Sequence, residues 1–323
     1  MRYPVRHFAF RVTHDLKPQI NKLFPGIPDP SELAGKIVAK VIDEVEGATS
    51  DSFEDGVDPS FYLLVMAQSY AARIAERLFR LESKFKNSFK VNYKVVLIVG
   101  AGLSFESGLP LSIHLENILK SMGFNLQEDN EIKSIFEKIG SDSKRDVEFK
   151  TKFRNIVSNG GVAPTPAHHV ICKKFEENKI IDILCYNWDN LIEQSYTQLY
   201  GHPIKKVSLP FASAGNFDDF VHALWKLHGD VENLGETWVY PGFDSEIPES
   251  LKSYCKFLSS QVASTLIVLV VGCSEADEDL LSVLAELGKF CAIYRLGMDM
   301  RLFHLHDDYL LAPAGWMLPQ LFL

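Results

Sequence analysis

From residue 94 onward the chain is punctuated by short, nearly continuous apolar runs rich in β-branched residues. Val95–Val99 ends at Gly100, Ile180–Cys185 ends before Tyr186, Thr265–Val271 ends at Gly272, and Phe290–Tyr294 makes a fourth. Runs that are apolar throughout, not at alternate positions, predict strands buried on both faces. Between them, His168–Asn178 and Asp277–Leu287 carry apolar residues at helical spacing. Strands alternating with helices predict an α/β fold, a doubly wound Rossmann-like parallel sheet covered on both sides. Upstream, Leu63, Met66, Tyr70, Ile74 and Leu78 recur three and four residues apart, interleaved with Arg73, Glu76, Arg77 and Arg80. That spacing predicts a helix over Phe61–Lys86 with a solvated charged face. Val38–Val45 predicts part of another. The expected organisation is a mostly helical N-terminal addition, residues 1–90, followed by an α/β domain over 91–323. Asp43, Glu44, Glu46, Asp51, Glu54, Asp55 and Asp58, with no Lys or Arg among them, read as a solvated loop.

Composition narrows the function classes. Of 323 residues, 46% are hydrophobic, enough for a sizeable core and too many for a disordered chain. A net charge of -9 excludes a protein that coats nucleic acid by charge alone. The five cysteines (Cys172, Cys185, Cys255, Cys273 and Cys291) include no C-x-x-C pair, so neither a disulfide framework nor a zinc site built from two close pairs is expected. A reducing, cytoplasmic setting fits them. The longest purely apolar run, Leu266–Val271, is far too short to span a bilayer. His304 and His306 beside Asp307 are too sparse a set to read as a metal site, and no metal is expected.

Chemistry gathers at the ends of the predicted strands. Gly100-Ala-Gly-Leu-Ser104 follows the first, and glycines at a strand-to-helix turn let backbone N–H groups approach a diphosphate. Phe105 stands where a dinucleotide fingerprint would need its third glycine, and no Gly-Lys-Ser/Thr follows, so this is not a P-loop. Asn187-Trp-Asp189 follows the second strand, Lys226-Leu-His-Gly-Asp230 closes another short apolar stretch, and Gly272-Cys-Ser274 precedes Asp277 after the third. Polar clusters at the carboxyl ends of several strands converge where open α/β sheets bind ligands. For His168 and His169, the Pro-rich start of a helix is explanation enough.

In this order, Gly100–Ser104, Pro164-Thr-Pro-Ala-His168, Asn187-Trp-Asp189, Leu227-His-Gly229 and Gly272-Cys-Ser274 resemble the sirtuin NAD-consuming family over roughly residues 92–295. Two departures stand out. Between Gly229 and Gly272 there is only Cys255, so the zinc ribbon of protein-deacylating sirtuins is missing, and Pro110-Leu-Ser-Ile113 replaces their usual Pro-Asp-Phe-Arg. The chain therefore resembles the zinc-less, prokaryotic antiphage-defence branch. The resemblance implies NAD as substrate and hydrolysis of its nicotinamide–ribose bond. It implies that Gly100, Ala101, Gly102 and Ser104 hold the diphosphate and adjoining ribose, and that Asn187 positions ribose or water. Asp189 would face the carboxamide, His228 act as general base, and Gly272 and Ser274 line the adenosine side. An imidazole of ordinary pKa, roughly 6.5, suits that task at neutral pH. It further implies gating by homo-oligomerisation or by a partner: an ATPase, an Argonaute-like protein or a phage component. The helical first 90 residues and the apolar tail Leu318–Leu323 are the expected contact surfaces. An NAD-dependent deacylase without its ribbon, and a non-catalytic NAD or ADP-ribose sensor subunit, are the alternatives.

Overall fold

A computed structural model describes residues 8–47, 59–90, 93–111, 115–124, 132–158, 161–208, 222–236, 238–240, 249–262, 265–274 and 278–323. Three helices open it: α1 (Ala9–Leu23), α2 (Pro30–Gly47) and α3 (Pro59–Lys90). The α/β part follows as β1 (Lys94–Val99), α4 (Ala101–Phe105), α5 (Glu116–Ser121), α6 (Ile132–Ser141), α7 (Ser143–Val157), α8 (Pro166–Glu176), β2 (Ile180–Cys185) and α9 (Leu191–Tyr200). Then come β3 (Lys206–Ser208), β4 (Leu224–Lys226), α10 (Glu249–Val262), β5 (Leu266–Val271), α11 (Glu278–Leu287), β6 (Ala292–Gly297), α12 (Met300–Leu305), β7 (Tyr309–Leu311) and α13 (Ala314–Leu321).

Among the described residues the strands form one parallel sheet in the order β3-β4-β2-β1-β5-β6-β7. The order reverses at β1, which pairs with β2 on one side and β5 on the other. The crevice at the carboxyl ends of β1 and β5 is thus the topological switch point, where doubly wound sheets take ligands. Alternation along the central strands divides the core. Val95, Leu97, Val99, Ile267 and Leu269 face a cluster shared with α1–α3, α8, α9 and α13, whereas Val96, Ile98, Val268 and Val270 face α10 and α11. Near-complete burial on both faces is why these strands read as continuous apolar runs.

A third cluster gathers residues of α5, α6 and α7 with Trp188, Trp238 and Tyr240. It forms a helical cap whose core reaches the loop after β2. Asp142 accepts from Lys144 N and Arg145 N at the start of α7, which fixes where that cap helix begins.

Two expectations need correction. Asp43, Glu44 and Glu46 lie in α2, not in a loop, and Glu44 pairs with Lys40 one turn earlier at 3.6 Å. Asp51, Glu54, Asp55 and Asp58 lie outside the described residues, as do Ile113 and Asp277. The apolar tail is not a free contact surface either. Leu318, Leu321 and Phe322 are buried, and Phe322 packs edge-on against Phe85 and Phe89 of α3, leaving only Leu323 fully exposed. The helical layer does leave Phe10, Phe61 and Val65 exposed.

Candidate functional site

The Gly100-Ala-Gly102 turn is built against the end of β5. Gly100 N donates to Val271 O at 2.9 Å and Gly102 N to Gly272 O at 2.8 Å. A Cβ on Gly102 would fall 2.7 Å from the Gly272 Cα, and one on Gly100 2.8 Å from the Cys273 Cα. Gly272 itself has φ +65°, a left-handed conformation that favours glycine. The glycines therefore answer first to the close approach of two backbone turns, with the Gly100 and Gly102 N–H groups spent on that approach.

Asn187 crosses from β2 to this turn. Its Nδ2 donates to Gly100 O at 3.0 Å and to Ser104 Oγ at 3.1 Å, and both Asn187 and Ser104 are buried. With both amide hydrogens engaged, the Asn187 Oδ1 is the acceptor left to a ligand.

The loops after β2 and β4 are fastened to each other. Leu227 N donates to Cys185 O and Val231 N to Trp188 O, each at 2.8 Å. The Trp188 indole N–H donates to His228 O at 3.0 Å and to Val239 O at 3.2 Å. Lys226, fully buried, donates from Nζ to Asp189 O and lies 3.7 Å from Glu193 Oε1. Burial pushes the Glu193 carboxyl up to about 6, against the pull of Lys226, while the surrounding anions of this cluster hold Lys226 above its ordinary range. A loop carrying Asn187 and Asp189 is thereby held in fixed register with a loop carrying His228.

Other groups have local partners. His228 is mostly buried, with its ring edge-to-face on Tyr186 at 4.7 Å between centroids. The Asp189 carboxylate accepts from Leu191 N at 3.0 Å, at the start of α9. Ser274 is exposed beyond Gly272. His168 completes a capping box with Thr165, its Nδ1 accepting from Thr165 N at 3.1 Å, and burial lowers its pKa to about 4. His304 faces the Tyr70 hydroxyl, joining α12 to α3. A cleft of about 350 Å³ opens away from the glycine turn, between α9 and β3, with Glu193, Lys206 and Glu232 in its lining.

The structure thus brings Gly100, Gly102, Ser104, Asn187 and Gly272 into one hydrogen-bonded unit, with Asp189 and His228 fixed beside it through backbone. Sequence reasoning missed Trp188 and Lys226 as the fasteners. A tryptophan inside Asn-x-Asp and a lysine at the end of an apolar strand were the available signals.

Residues 182–291 match the family model described as SIR2-like domain. Among solved structures, a Sir2 enzyme is similar at 15% identity and TM-score 0.47, over 75% of this chain and 95% of that one. A mutant Sir2 homologue in complex with ADP-ribose gives 15% and 0.49, over 74% and 94%. A Sir2 homologue in complex with NAD gives 14% and 0.48, over 75% and 91%. No curated protein matches the chain in sequence. Among the described residues no helix is long and apolar enough to cross a membrane. Over residues 182–291, which run from within β2 through β3, β4 and β5 to α11, the chain is thus similar to a SIR2-like domain.

Proposed function

We propose that the crevice between β1 and β5 binds NAD and that the chain is an NAD⁺ glycohydrolase, releasing nicotinamide and ADP-ribose. The observation that carries this is the Asn187 amide, bridging Gly100 O and Ser104 Oγ at the switch point. Gly100, Ala101, Gly102 and Ser104 hold the diphosphate and the ribose beside nicotinamide, and Gly272 and Ser274 line the adenosine side. Asp189 offers its second oxygen to the carboxamide. Water donates one hydrogen to Asn187 Oδ1, which turns an oxygen lone pair toward the anomeric carbon. The C1′–N1 bond breaks with its electron pair passing to nicotinamide, the water oxygen bonds to C1′, and His228 takes the proton before releasing it to solvent. The pyridinium charge has already weakened the bond, so orientation and exclusion of water carry most of the acceleration. An unregulated NAD hydrolase would harm its own cell. We therefore read the enzyme as gated, by self-assembly or a partner protein, in the prokaryotic antiphage setting that the resemblance implies.

The test is nicotinamide release by the purified chain, alone and with candidate partners. Asn187→Ala and His228→Ala should each lower turnover by roughly 10²–10⁴-fold while circular dichroism stays unchanged. Full turnover by either variant removes that residue from the mechanism. Release only on addition of an acylated peptide identifies a deacylase. Binding of NAD by calorimetry without release under any condition identifies a sensor.

A further inference from the structure

We propose that Glu106 is a positioning residue for the nucleotide turn, tying it to the C-terminal helix α13. It rests on the reading of that turn as the diphosphate site. Glu106 directly follows α4, a single short turn of helix that begins at Ala101. The start of α4 is fixed by Gly102 N on Gly272 O, and its middle by Ser104 under Asn187. Its far end is held by the Glu106 carboxylate. Oε1 and Oε2 accept from Gly315 N at 3.1 and 3.0 Å, in the first turn of α13. N–H groups there lack helical partners and the helix dipole favours a negative charge, so the carboxylate suits the position chemically. A Cβ at 315 would lie 2.2 Å from Glu106 Oε2, so a side chain there displaces the carboxylate from this contact.

The tie extends beyond the domain. Trp316, the next residue, meets Phe24 edge-on at 6.5 Å between centroids, and its indole nitrogen lies 3.7 Å from where a Gly26 Cβ would be, in the connection from α1 to α2. At the other end of α13, Phe322 packs on Phe85 of α3 at 5.6 Å. A displacement of the helical layer against the sheet therefore reaches Glu106, and through it Phe105 and Ser104, by contacts along one short rigid helix. Glu106 has no place in the bond-breaking step, so its contribution is to substrate affinity through the shape of the turn.

Two variants approach the contact from opposite sides: Glu106→Gln, which keeps the length and weakens the acceptor, and Gly315→Ala, which evicts the carboxylate. Both are compared with wild type by hydrogen exchange of the segment Leu103–Ser107 and by steady-state NAD kinetics. Expected are faster exchange in that segment and a KM for NAD raised about tenfold, equivalent to ~1.4 kcal/mol, with kcat within about twofold. Unchanged exchange and unchanged KM in both folded variants overturn the proposal, and so does a loss confined to kcat. If wild type neither binds nor cleaves NAD, the functional reading fails. Exchange alone then decides whether Glu106 orders the turn.

Discussion

Trp188→Phe separates holding the cap together from holding the site together. The ring lies in the cap core, stacked on Trp238 at 5.2 Å between centroids and edge-on to Phe153 at 5.3 Å and Phe149 at 5.7 Å. Phenylalanine keeps most of that contact and removes the N–H shared by His228 O and Val239 O. His228 O retains a second donor, Val239 N at 2.8 Å, so it is not left bare. The lost hydrogen bond is worth about 1–2 kcal/mol, and the smaller ring adds about 1 kcal/mol of lost burial. Together they should lower the melting temperature by several degrees. Turnover should fall much further than stability implies. The loop carrying Asn187 loses one of its two side-chain ties to the loop carrying His228, Lys226 on Asp189 O being the other, and a misplacement near 1 Å costs on the order of 100-fold. The assay is nicotinamide release together with thermal unfolding. Trp238→Phe is the control: among the described residues its buried indole nitrogen has no hydrogen-bond partner, so its loss bears on packing. Equal turnover losses in the two variants, or a stability loss in Trp188→Phe with normal turnover, would refute the reasoning and leave the indole a purely structural element.

Two further predictions concern the same elements. Gly102→Ala places a Cβ 2.7 Å from the Gly272 Cα, a backbone contact that no side-chain movement relieves, so denaturation should show a loss of about 1–3 kcal/mol and calorimetry a weakened affinity for NAD. Retention of both would mean that the two turns are not in rigid contact. His168 has its Nδ1 engaged by Thr165 N and its pKa held at about 4, so the unfolded chain takes up a proton that the folded chain resists. Its contribution to stability is complete above roughly pH 6.5 and is lost as pH falls toward 4. His168→Gln keeps an acceptor at a capping-box position and removes the titration. The stability gap between wild type and this variant, followed by urea unfolding, should fall by on the order of 2 kcal/mol between pH 7 and 4. A gap independent of pH would contradict the assigned proton position.

The legible parts of the fold are those whose burial is uniform. β1, β2 and β5 read directly because both faces are covered, and the order of their polar ends was enough to outline the site. The fourth run was displaced: β6 is Ala292–Gly297, because Phe290 and Cys291 belong to the turn that closes α11, with their N–H groups on Leu287 O. β3 and β7, three residues each, carry too few positions for a period to show. The start of the acidic run, in α2, was indistinguishable from solvated coil by composition, although Lys40 one turn before Glu44 was a helical cue. Within the site, the glycine turn, Asn187 and His228 announce themselves by residue type. Trp188, Lys226 and Glu106 do not, since each acts on a group 37 to 209 positions away along the chain. Only the folded register reveals them.

That division has a chemical logic. Breaking a bond already activated by a pyridinium ring demands little acid or base power and close control of where water stands. Much of the polar chemistry buried around the crevice accordingly serves geometry. Lys226 is carried into the interior to hold the carbonyl of Asp189, with Glu193 close enough to offset part of its desolvation. The Asn187 amide hydrogens hold the glycine turn and Ser104, which fixes the direction in which its remaining oxygen can accept. The Asp189 carboxylate keeps one oxygen on Leu191 N at the start of α9, which anchors the group to a helix end. In each case a structural bond decides which atom remains for the substrate. The proposed catalytic groups are therefore the unused valences of a scaffold, and the residues that use up the others are as decisive for the reaction as those that would touch NAD.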